Sequence, residues 1–150
     1  MITITALTVL YALLGGLLPA LLYALSGVFA KYSNVAGIGN GLYVMTLGVA
    51  IFIVGLILYL LIPEKNISYK SAVYALISGF FWAAAAALFA MAITKFGIPL
   101  SKLTPLNNLS TFFAIILGLW IFSEWQQVNV LKLLVGATLI IAGSVIVSKA

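Results

Sequence analysis

Cysteine, histidine, aspartate and arginine are all missing from these 150 residues. Without cysteine there is no disulfide and no thiol nucleophile. Without histidine and aspartate the common transition-metal ligands go too, and with them the Ser/His/Asp and Cys/His catalytic arrangements. No enzymatic chemistry, metal or cofactor is therefore expected. Charge of either sign is scarce: seven lysines and two glutamates, 6% of the chain, give a net +5. The lysines form no cluster and no patch interleaved with aromatics, so nucleic acid is not an expected partner.

What fills the sequence instead is hydrocarbon. Hydrophobic residues make up 65% of it, and apolar windows of about 20 residues, the length that crosses a bilayer core, recur along nearly the whole chain. The fold class that follows is an all-α integral membrane protein, multi-pass, in the cell (inner or plasma) membrane, with lipid as its immediate partner. Five spans are predicted within one domain covering 1–150: about Leu7 to Ala30, Gly41 to Ile62, Ser71 to Thr94, Leu103 to Phe122, and Val130 to Val147. Helices are required because a span in lipid must satisfy its own backbone, and the alternating pattern of a membrane barrel is absent. The N-terminal run is not expected to be a cleaved signal, since no Lys or Arg precedes it and it is too long for an h-region.

Every ionisable residue falls near a span end, which leaves no carboxylate at mid-membrane for a proton relay. Glu124 beside Trp125 reads as an interfacial charge next to an aromatic anchor, and Glu64 reads likewise. With the N-terminus inside, Lys65, Lys70 and Lys132 lie on one side and Lys31, Lys95, Lys102 and Lys149 on the other. Orientation is normally set by a clear lysine and arginine asymmetry, and here it is nearly balanced. Insertion both ways is predicted. Two oppositely oriented copies of a unit with an odd number of spans form an inverted repeat, the construction of many secondary transporters.

Against that apolar background the stretch "LTPLNNLST" is the main polar feature. On a helix, Ser101, Thr104, Asn108 and Thr111 form one stripe continued by Gly118, and Asn107 and Ser110 widen it. Pro105 has no N–H, so the Ser101 carbonyl loses its donor and a kink is expected. The stripe has two readings: glue between helices, or the wall of a wet cavity in which amides offer both donor and acceptor to a polar solute. The first span repeats the design more weakly, with Gly15 and Gly16 before a kinking Pro19, and Tyr23 and Ser26 on the same face. In the third span Ser71, Tyr74, Ser78 and Trp82 share a face, and Trp82 could stack on an organic solute. Gly136 and Gly143, seven apart in the fifth span, mark a packing or dimer face.

The C-terminal half, "SGFFWAAAAALFAMAITKFGIPLSKLTPLNNLSTFFAIILGLWIFSEWQQVNVLKLLVGATLIIAGSVIVSKA", resembles the EamA domain of the drug/metabolite transporter superfamily. The fourth span runs into Phe122-Ser123-Glu124, then a short polar loop, then "LLVGATLIIAGSVIVS". The stretch "LLPALLYALSGVFAKYS" looks like that domain's first helix. The match would cover one five-helix repeat where most members fuse two. The resemblance implies a solute transporter whose cavity is lined by the first, third and fourth helices. Here it would be completed by an antiparallel homodimer or by a sister half-transporter. It also implies alternating access for a small polar organic solute such as a sugar, an amino acid or another metabolite. The expected binding residues are Asn107, Asn108, Thr104, Thr111, Tyr23, Ser26 and Trp82. The alternatives are a non-transporting membrane interaction subunit, and a lipid-carrier or drug exporter of the same superfamily. Small multidrug relatives carry a glutamate in the first helix; this sequence has none there, which argues against proton-drug exchange.

Overall fold

The computed structural model describes residues 6–149. It has five helices long and apolar enough to cross a membrane, with no strand among the described residues. We number them α1 (Val9–Val35), α2 (Asn40–Leu61), α3 (Tyr69–Thr94), α4 (Leu100–Ile121) and α5 (Val130–Lys149); helical backbone extends α1 upstream to Ala6. The described residues are all-helical in architecture, and these five long apolar helices match the five spans read from the sequence. The largest shift in a boundary is at α1. The polar run Lys31 to Asn34, beyond the expected end near Ala30, is a further turn of helix that ends at Val35.

The ends of these helices are set by local chemistry. Ser68 and Ser71 form a capping box at the start of α3. The Ser68 hydroxyl accepts the Ser71 N–H at 3.2 Å and the Ser71 hydroxyl accepts the Ser68 N–H at 2.9 Å, so two orphan donors are satisfied at once. The Asn129 side chain accepts the Lys132 N–H at 3.0 Å and caps α5. After α1 and α3, Gly37 (φ +95°) and Gly97 (φ +62°) take left-handed conformations that glycine adopts without a Cβ penalty.

The chain divides into two compact units, Met1–Phe96 and Gly97–Ala150. In the first, α3 packs along both α1 and α2. Its core is small, comprising Ala30, Tyr43 and Ala90, with Ile38, Val44 and Leu47 packed against it. Alanine at two of these three positions lets the helix backbones approach closely, as is usual where lipid removes any hydrophobic drive for association. Thr94, at the end of α3, donates to the Ala90 carbonyl at 3.0 Å and to Asn40 Oδ1 of α2 at 3.3 Å. In the second unit α4 packs along α5, with Leu119, Ala137 and Ser144 buried between them. Between 0 and 11% of each span's most apolar window is buried, so nearly all side chains are left for lipid or for another protein surface.

Candidate functional site

α4 is interrupted where its polar stretch lies. Pro105 sits inside the segment Leu100–Asn107, and the second segment, Leu109–Ile121, starts after a break at Asn108. The Asn108 N–H is shared between the Thr104 carbonyl at 3.2 Å and the Pro105 carbonyl at 3.1 Å, and the Thr111 N–H reaches back only three residues, to Asn108 at 3.0 Å. The helix therefore tightens in the turn after the proline. The Ser101 carbonyl, whose i+4 residue is Pro105, has no such donor.

The two faces of α4 differ. Among its less exposed residues, Pro105, Leu109, Phe112, Ile115 and Leu119 recur at helical spacing, which makes theirs the face packed on α5. Thr104, Asn107, Asn108, Ser110 and Thr111 are all exposed. Among the described residues the side-chain hydrogen bonds lie elsewhere, at Asn34, Thr46, the Ser68–Ser71 pair, Thr94, Asn129, Thr138 and Ser148. Within its own unit the polar stripe is thus not glue for α5.

The foot of the same stripe holds a carboxylate that sequence reasoning left in the interface. α4 ends with the Phe122 N–H on the Gly118 carbonyl at 3.1 Å. Ser123 then takes a left-handed conformation (φ +55°), and Glu124 folds back. Its Oε2 lies 3.1 Å from where a Cβ on Gly118 would be. Glycine at 118 leaves the room that this carboxylate occupies.

In the first unit, Tyr23 and Ser26 are exposed on α1. Trp82, 43% exposed, lies with Ser78 and Gly79 of α3 opposite Val44, Gly48 and Ile51 of α2, around a groove of about 460 Å³. Gly48 and Gly79 widen this groove. Ser71, which shares the sequence stripe with Trp82, is occupied by capping instead. Upstream of Pro19 the helix is locally wider: Leu13–Leu17 is a π turn, in which the Leu18 N–H donates to the Leu13 carbonyl five residues back.

The described residues hold one polar side chain that is buried and incompletely satisfied, and the sequence did not single it out. Asn34 is 4% exposed; its Nδ2 donates to the Ala30 carbonyl at 2.7 Å, and its Oδ1 is buried without a partner. On α5, Ala137 and Ser144 are the residues buried against α4. A Cβ at Gly136 or Gly143 would meet nothing within 4 Å, so in one chain these glycines are not points of close approach.

Compared with known protein families, curated proteins and solved structures, the chain matches none.

Proposed function

We propose that this chain is half of a membrane transporter in the cell membrane, working as an antiparallel dimer that moves a small polar organic solute by alternating access. The observation that carries the reading is the exposed face of α4, where Thr104, Asn107, Asn108 and Thr111 stand clear of α5. An amide left without partners in hydrocarbon costs about 1–3 kcal/mol by mutational measures, and two adjacent ones are hard to explain on a lipid-facing surface. A wet path satisfies them and gives them a task, since each amide offers donor and acceptor together.

The proline break beside them fits the same reading. Irregular backbone at membrane depth is tolerated where it is buried in protein or lines a cavity, and transporter sites are commonly built on such discontinuous helices. The resemblance to the EamA repeat points to the same function and assigns Tyr23, Ser26 and Trp82 to the path with α4. Two oppositely inserted copies would supply the two halves of the inverted repeat, consistent with a near-even lysine distribution. No enzymatic step belongs to this reading.

The test is flux into liposomes containing the purified protein, assayed with a panel of labelled sugars and amino acids, for the unaltered chain and for Asn107→Leu/Asn108→Leu. Uptake by the former and its loss in a still-folded double variant supports the reading. Uptake unchanged by the double substitution removes α4's amides from the path. No uptake of any solute, together with copurification of another membrane protein, favours the interaction-subunit alternative.

A further inference from the structure

In an uninterrupted α-helix each carbonyl accepts the N–H four residues on, and in lipid a carbonyl that loses this donor must find another partner. α1 departs from the rule at two consecutive residues. The Leu18 N–H, which would serve Leu14, donates instead to Leu13. Residue 19, which would serve Gly15, is proline and has no N–H. The carbonyls of Leu14 and Gly15 are therefore both deprived of their helical donors.

The backbone here is also open. A Cβ on Gly15 or Gly16 would meet nothing within 4 Å, and Leu14 is 55% exposed. By helical rise, Leu14 and Gly15 lie about 8 Å inside the Val9 end of the span. The nearest lysine along α1 is Lys31, about 24 Å further along the axis. The chain's own α1 supplies no cation to these oxygens.

Two carbonyls freed of their i+4 donors can accept but not donate, so they suit a cation or another donor. Hard cations take oxygen ligands of this kind, and unwound carbonyls serve that purpose in broken-helix transporters. Divalent ions ask for carboxylates as well, and the only two in the sequence, Glu64 and Glu124, lie outside α1. We propose that the π turn before Pro19 makes the Leu14 and Gly15 carbonyls a binding site for a small monovalent cation, either a free alkali ion or the protonated amine of the solute. The role of that cation in transport rests on the function proposed above, whereas its binding does not.

The experiment follows thermal unfolding of the purified full chain by tryptophan fluorescence. NaCl, KCl or methylammonium chloride is exchanged for choline chloride at fixed ionic strength. Binding to the folded state raises Tm saturably, by about 4 °C at ten times the half-saturating concentration. Pro19→Ala returns an N–H to the Gly15 carbonyl and puts a good helix former in place; it folds, and the shift is lost. A shift with Na⁺ or K⁺ that Pro19→Ala abolishes identifies an alkali site. A shift confined to methylammonium, and likewise abolished, identifies an amine-bearing solute. Absence of any saturable shift over choline in the unaltered chain, or a shift that Pro19→Ala leaves intact, overturns the proposal. Cation binding without solute flux would sink the transport reading and leave this site standing.

Discussion

Replacing Asn34 by leucine should make the folded chain more stable. The side chain makes one hydrogen bond, from Nδ2 to the Ala30 carbonyl. That carbonyl is also the usual i−4 acceptor for the Asn34 backbone N–H, so the side chain is a second donor to it. Such a bond is worth about 1 kcal/mol net. Against it stands the buried Oδ1 with no partner, a penalty of about 1–3 kcal/mol. Leucine has a similar branched shape and removes both terms, and at a site only 4% exposed its added apolar burial contributes about 1 kcal/mol more. The net expectation is a gain of about 2 kcal/mol, or roughly 5 °C in Tm for a chain of this size. Asn34→Asp, which puts an unpaired charge in the same place, should lose about 3 kcal/mol. The assay is thermal unfolding in detergent, with uptake measured in parallel. A fall in Tm for Asn34→Leu would refute the reasoning, because it would mean that Oδ1 has a donor in the working protein, such as a bound water.

Two further predictions concern helix ends. Ser68→Ala removes the hydroxyl that accepts the Ser71 N–H and should cost about 1 kcal/mol, read as a drop in Tm, with Ser71→Ala producing a similar loss and the double variant little more because the box is reciprocal. Ser123→Gly relieves the left-handed strain at φ +55° and should stabilise by up to about 1 kcal/mol, whereas Ser123→Val, β-branched at that conformation, should destabilise by about as much; opposite signs for the pair, measured by thermal unfolding, are the check.

Much of this architecture can be read from the sequence because bilayer thickness imposes a length and lipid imposes a composition, and both are visible in the runs that became α2 and α5. The polar stripe of α4 is legible for the converse reason, since Asn107 and Asn108 stand out where almost nothing else is polar. What escaped depends on packing. Asn34 follows Lys31, Tyr32 and Ser33 and so reads as interface; only the added helical turn and the Ala30, Tyr43 and Ala90 cluster of the same unit bury it. Pro19 announces a freed carbonyl at Gly15, yet the five-residue bond at Leu13, which frees the carbonyl of Leu14 as well, has no periodic signature. The return of Glu124 onto Gly118 depends on a serine in a conformation that glycine or asparagine usually marks, so no turn signal announces it.

The division at Phe96 also bears on the order of events during synthesis. Every residue of the Ala30, Tyr43 and Ala90 core, and the Thr94 to Asn40 bond, lies before that point. At usual elongation rates the 54 residues of Gly97–Ala150 take about 3–11 s to follow. For that interval the ribosome is still translating while the first three helices already have all the contacts among themselves that they will need. Translocation machinery could therefore release them to the lipid as a packed unit, leaving the amide-bearing helix and then α5 to follow.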